Sequence, residues 1–287
     1  MSTHDTPQRP DNPSTYFITD RQQDRELHRL LVQDQLLTES MGGVLSEQPD
    51  PTLFHRILDI GCGPGGWVLE TARTYPWMHL DGIDISQRMI AAAREQAEAE
   101  HLGDRVRFHV MDALQMLEFP AGSFDLVNLR SSVSFLRTWE WPKMFSEMLR
   151  VAQVGGVIRI SEGEVVPQGH SPALIQLQVM VQCALYRSGH LFTDEPGGLT
   201  NHLERLFTQY GATNVQRKAH VLDYRPGTPQ AEASHEDVRH LFPLIRPFLQ
   251  KWGCASDFEA VYQQALMEIG DPHYHVTANF LTVWGNS

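Results

Sequence analysis

Asp59 stands two residues ahead of four closely spaced glycines, Gly61, Gly63, Gly65 and Gly66. A glycine-rich turn lets backbone pass close to a ligand or hold a positive φ. A carboxylate beside such a turn attracts an ammonium or sulfonium cation and repels a pyrophosphate. The chemistry offered is that of a cradle for a positively charged small molecule. A second pattern competes, because Gly61, Gly63 and Gly66 also satisfy G-x-G-x-x-G, in which amides at a helix start receive a dinucleotide pyrophosphate. That alternative, an NAD-dependent oxidoreductase, has Asp59 against it. Asp84 lies about twenty positions past the glycines, where a carboxylate at a strand tip accepts hydrogen bonds from both hydroxyls of an adenosine ribose. Asp112 closes a further apolar stretch, where its carboxylate can take an adenine exocyclic amine while the Ala113 N–H meets a ring nitrogen.

These side chains need strands that end together. Ile57, Leu58 and Ile60 form a short apolar run read as a buried parallel strand, and Trp67 to Thr74 as its crossover helix. His79 to Ile85 is the second strand. Ser86 N-caps a helix to about Glu100, with Met89, Ile90, Ala93 and Ala97 inward. Ile85 and Met89 border the adenine position, although Met89 reads first as core. Arg105 to Val110 is strand three, Ser123 to Arg130 strand four, Trp139 to Val151 a helix and Val157 to Ser161 strand five. Ahead of them Asp24 to about Met41 is an amphipathic helix stopped by Gly42 and Gly43. Beyond them come an apolar helix over Pro172 to Leu191, a helix over Asn201 to Tyr210 and a strand over Gly211 to Tyr224. A helical insertion over about His235 to Ile269 and a last strand over His275 to Trp284 complete the chain.

Asp-x-Gly-x-Gly-x-Gly over Asp59 to Gly65, Phe-Asp-Leu-Val in strand four and Gly155-Gly156 before strand five resemble class I S-adenosylmethionine-dependent methyltransferases. The likeness is to the ubiquinone/menaquinone-biosynthesis type used in bacterial secondary metabolism. Val154 departs from it, standing where proline is usual. The resemblance implies a Rossmann-like, doubly wound α/β sheet of seven strands, the last inserted antiparallel. An N-terminal lid helix, just ahead of which Tyr16 and Phe17 either close over the cofactor or anchor the helix to the core, and helical cap insertions complete that picture. It implies S-adenosylmethionine as cofactor and S-adenosylhomocysteine as product. Asp59, Gly61, Gly63 and Gly65 would surround the donor's amino-acid end, with Asp84, Ile85, Met89, Asp112 and Ala113 around its adenosine. Arg130 supplies either a backbone contact to the cofactor or a side chain to an acceptor carboxylate.

A sulfonium donor is already activated, so alignment and exclusion of water are the enzyme's main tasks and no triad is required. A base is needed only where the acceptor must lose a proton. Topology favours Glu162 and Glu164 at the end of strand five, with His190, His170 and Tyr186 in the cap as further candidates. His273 and His275 share a strand face, but no third ligand accompanies them and no metal is expected.

The net charge of −12 without a basic run argues against nucleic acid, and no segment reaches the roughly 20 apolar residues of a membrane span. Cys62, Cys183 and Cys254 are far apart, which reads as reduced thiols in a cytoplasmic protein. The organisation expected is residues 1–50 as a disordered N-terminus and lid helix, 51–164 as the cofactor core, 165–200 as a cap insertion and 201–287 as the rest of the core. The partner is a small, mostly apolar or aromatic acceptor; a homodimer interface is the competing role for the second insertion. A non-catalytic protein that binds the cofactor is a third reading.

Overall fold

Four parallel strand pairings build the base of the sheet in the computed structural model, which describes residues 24–287. β1 (Arg56–Ile60) lies between β2 (His79–Asp84) and β4 (Phe124–Arg130), while β3 (Val106–Val110) pairs with β2 and β5 (Ala152–Gly163) with β4. β8 (Val276–Asn286) runs antiparallel between β5 and β7 (Thr213–Tyr224), giving the inserted last strand the resemblance implied. A two-residue strand, β6 (Gln168–Gly169), also pairs with β8, so the sheet has eight strands rather than seven. Two residues carry no periodicity, and nothing in the sequence announces β6.

Strand alternation sorts the apolar residues into two layers. Ile57, Leu80 and Leu126 pack with Trp67, Ile90 and Ala93 beneath α2 (Gly66–Thr74) and α3 (Gln87–Ala99). Leu58, Ile60, Val127, Ile158 and Ile160 face the other way, toward α4 (Trp141–Val151), α5 (Pro172–Arg187) and α6 (Leu203–Gln209). Ser86 caps α3 by accepting the Met89 N–H. The N-terminal helix, α1 (Asp24–Ser40), stops before Gly42 and Gly43.

The second insertion is two helices, α7 (Pro229–Lys251) and α8 (Phe258–Glu268), and begins earlier than His235. Thr228 as N-cap and Pro229 in the first turn mark that start. Cys183 of α5 and Cys254 after α7 form a disulfide, which corrects the expectation of reduced thiols. The packing of α5 against α7 and α8 brings together cysteines separated by 71 residues, and no sequence spacing encodes that. Cys62 is a buried free thiol. Among the described residues no helix is long and apolar enough to cross a membrane.

Candidate active site

The carboxyl ends of β1 to β5 open into one cavity of about 1660 Å³, walled opposite by α1 and α7 and flanked by α5, β7 and β8. Ligand pockets for one small molecule span roughly 300–1,000 Å³, so this space exceeds the need of a single ligand. Asp59, Gly61, Gly63, Asp84, Ile85, Met89, Asp112, Ala113, Arg130 and Glu164 all line it. Tyr16 lies outside the described residues.

Asp59 is 4% exposed and accepts a 2.8 Å hydrogen bond from Asn128 Nδ2. Asn128 Oδ1 accepts from Arg159 (2.7 Å), whose Nε donates to Glu47 Oε1 (2.7 Å). Asp59, Asn128 and Arg159 are register partners across three parallel strands, so the row follows from strand pairing. Burial pushes the Asp59 carboxyl up to about 7, against the pull of Asn128 and Arg159. Burial raises the Glu47 carboxyl too, but the Arg159 charge and hydrogen bonds outweigh it and hold Glu47 below its ordinary value. A cation bound beside Asp59 relieves the cost of its ionisation. Sequence reasoning missed the Arg159–Glu47 pair because Glu47 lies in a linker.

Asp84 holds the turn as well as facing the cavity: its carboxylate accepts from the Gly63 N–H (3.1 Å) and the Ser86 N–H (2.8 Å). Asp112 accepts the Leu114 N–H at 2.9 Å, shaping the loop after β3. Met89 is 3% exposed and backs the cavity, while Ile85 is at its rim, 36% exposed. The glycines divide in purpose. A Cβ on Gly63 would meet nothing within 4 Å, whereas one on Gly65 would stand 2.7 Å from the Phe108 ring and 3.0 Å from Ala93. Gly65 therefore serves helix–strand packing and is not at the cavity wall, a correction to its expected place around a ligand.

Arg130 is not waiting for an acceptor carboxylate. Its guanidinium pairs with Asp34 and donates to Thr38 Oγ1 (3.0 Å), tying α1 across the cavity mouth. Glu162 and His190 also depart from expectation. Glu162 shares a strand face with Ile158 and Ile160, is fully buried, and accepts from the Ser132 N–H and Oγ. Burial raises its carboxyl to about 7, but it does not reach the cavity. His190 is buried behind α5 with Nδ1 2.8 Å from Ser188 Oγ, and burial with the nearby Arg137 charge lowers it to about 4. Glu164, just past the strand, is the candidate base that lines the cavity. Asn279 Nδ2 donates to its Oε2 at 2.8 Å. His170 and Tyr186 are not at the wall, and His275 pairs with Asp223 at 2.9 Å.

Away from the glycine turn and the strand-end aspartates the lining includes Phe135, Val165, Leu174, Leu222, Phe242 and Phe280, with Gln178, Tyr224, Asn279 and Asp237 as polar members. Cap residues of this kind carry no transferable motif, and only packing reveals them.

Residues 57–156 match the family described as Methyltransferase domain. Ajmaline N-methyltransferase of Rauvolfia serpentina is 40% identical over 104 residues, 36% of this chain and 34% of that protein. The 27-O-demethylrifamycin SV methyltransferase of Amycolatopsis mediterranei is 25% identical over 241 residues, 84% of this chain and 74% of that protein. The chain thus spans about a third of the length of the first of these relatives. Phosphoethanolamine N-methyltransferase 2 of Haemonchus contortus, solved with S-adenosyl-L-methionine, superposes with a TM-score of 0.57 at 20% identity, over 96% of this chain and 60% of that one. The fold is that of class I methyltransferases. Hydride transfer with NAD finds no support among these relatives.

Proposed function

We propose that this chain, built on a class I methyltransferase domain, transfers a methyl group from S-adenosylmethionine to an oxygen, nitrogen or carbon of a small, apolar or aromatic metabolite. One observation carries the reading. Asp59, Asp84 and Asp112 end successive strands around the glycine turn, and the cavity they line runs on into an apolar chamber with room for a second molecule. The residues fit the donor: the space beside Gly63 is a cradle that a Cβ would fill, and the buried Asp59 carboxylate suits a cationic neighbour.

S-adenosylmethionine, when bound, supplies a methyl carbon activated by a sulfonium. Asp59, Gly61 and Gly63 hold its amino-acid end, Asp84 takes the ribose hydroxyls, and Asp112 and Ala113 take the adenine between Ile85 and Met89. Arg130 is a positioning residue that draws α1 over the site, and α1 and α7 shed water from the reacting pair. Alignment of this kind lowers the barrier by several kcal/mol. Glu164 is the group of this chain that receives a proton from an acceptor. Tyr16 is part of the lid reading, residues 51–164 are the cofactor core and the α5 and α7–α8 segments are the acceptor cap. A role in secondary metabolism has support in the rifamycin and alkaloid relatives. The acidic net charge supports an enzyme without nucleic-acid partners, the Cys183–Cys254 disulfide weighs against the cytoplasmic reading, and α8 is a candidate homodimer surface.

Calorimetric titration with S-adenosylmethionine, S-adenosylhomocysteine and NAD, on protein checked by mass spectrometry for co-purified ligand, tests the proposal. Micromolar binding of the first two and none of NAD is expected. Absence of binding by folded, ligand-free protein would overturn it.

A further inference from the structure

We infer that the acceptor is a cationic amine with an apolar body, drawn to the cavity by the carboxylates of Glu164 and Asp237 that line it and met at its ammonium by Glu164; this rests on the methyl-transfer reading above. Beyond the three donor-side aspartates, the lining charges that are not exposed are four carboxylates, Glu26, Asp34, Glu164 and Asp237, against two guanidiniums, Arg29 and Arg130; Glu232, Glu236 and Arg239 also line the cavity but are exposed, and Arg239 pairs with Glu236. Both cations are committed. Arg29 binds Glu26 bidentately through Nε and Nη2, each at 2.8 Å, and Arg130 pairs with Asp34. Asp237 receives only the remaining Arg29 Nη1 at 3.3 Å, and Glu164 receives only Asn279 on Oε2. Asp237 Oδ2 and Glu164 Oε1 have no donor among the described residues.

Two under-neutralised carboxylates set among apolar side chains incur a desolvation cost that a bound cation offsets. An acceptor carboxylate or phosphate would meet repulsion from both and find no free guanidinium. Phe135, Leu174, Leu222 and Phe242 set the rest of the specificity, since they offer an amine's hydrocarbon body dispersion contacts and no polar partner. In the transfer, an ammonium N–H bond breaks and an O–H bond forms on Glu164. Nitrogen keeps the electron pair with which it attacks the methyl carbon, and the S–C bonding pair leaves with sulfur. Asp237 touches no reacting atom in this scheme and adds to the cavity's attraction for a cation.

A matched set of probes isolates the charge: dibenzylamine, the isosteric dibenzyl ether and dibenzylacetate, measured by equilibrium dialysis near neutral pH against protein saturated with S-adenosylhomocysteine. The amine should bind at least tenfold tighter than the ether, and the carboxylate weakest. Glu164→Gln should reduce the amine's advantage over the ether to under threefold while leaving ether and S-adenosylhomocysteine within twofold, and Asp237→Asn should act in the same direction. Were Glu164→Gln to fail to fold, Asp237→Asn and the wild-type ratio decide alone. Equal binding of amine and ether, or binding of neither while S-adenosylhomocysteine binds, overturns the amine assignment only. Failure of S-adenosylhomocysteine to bind overturns the methyl-transfer reading beneath it.

Discussion

Alanine at Gly63 and alanine at Gly65 should separate binding from folding within one turn. Both glycines have positive φ, +53° and +84°, so a side chain at either one incurs about 1–2 kcal/mol of left-handed strain. At Gly63 nothing lies within 4 Å of the new Cβ, and that strain is the whole stability cost. At Gly65 the Cβ would stand 2.7 and 2.9 Å from two atoms of the buried Phe108 ring and 3.0 Å from Ala93, under α3. Overpacking of that kind adds about 1–3 kcal/mol. Gly65→Ala should therefore cost about 2–5 kcal/mol, a large part of a typical domain's 5–15. Urea unfolding reads the difference, with a lower midpoint for Gly65→Ala than for Gly63→Ala. Calorimetry with S-adenosylhomocysteine should show the opposite order. Gly63→Ala places a methyl in the cavity and loses tenfold or more, about 1.4 kcal/mol, while folded Gly65→Ala stays within a few-fold of the parent. Equal urea midpoints, or full affinity in Gly63→Ala, would refute the division of labour.

Arg159→Leu removes one partner of a fully buried ion pair, leaving Glu47 and Asn128 uncompensated, and should cost about 3–5 kcal/mol by urea unfolding. With Asp59 and Glu162 both raised to about 7 by burial, the folded chain holds protons that the unfolded chain has released. Their stabilisation is fully present below the ordinary carboxylate range and is lost as pH rises through about 7, so the urea midpoint should be higher at about pH 5.5 than at about pH 8. Asp59→Asn should flatten that slope, and an unchanged slope in the variant would count against the assignment. Thiol titration of denatured, unreduced protein should find Cys62 alone, and all three cysteines after reduction. Removing the Cys183–Cys254 link should cost about 2–4 kcal/mol.

Much of the donor half of the cavity was legible because its logic is local. A strand, a tight turn and a helix start are written in consecutive residues, so Asp59, Asp84 and Asp112 could be placed at strand ends from apolar runs and glycines alone. The buried position of Glu162 was misread, since its place at the end of strand five suggested a base at the site, whereas it continues the alternation of Ile158 and Ile160 onto the face that packs beneath α4 and α5. Glu164, expected at the same strand end, lies past the last strand residue and lines the cavity, and only the fold separates it from Glu162. Other features depend on pairings between distant segments. Arg159 meets Glu47 across 112 residues, Arg130 reaches Asp34 and Thr38 on α1, and Cys183 meets Cys254. Such contacts follow from which helix packs on which sheet face, and no residue spacing carries that information. By itself the sequence determined the sheet apart from the short β6, its glycine turn and the acids around it. The tertiary structure alone decided the cavity beyond the strand ends and its excess of negative charge, because those are properties of side chains that meet only after α1, α5 and α7 have closed over the strand ends.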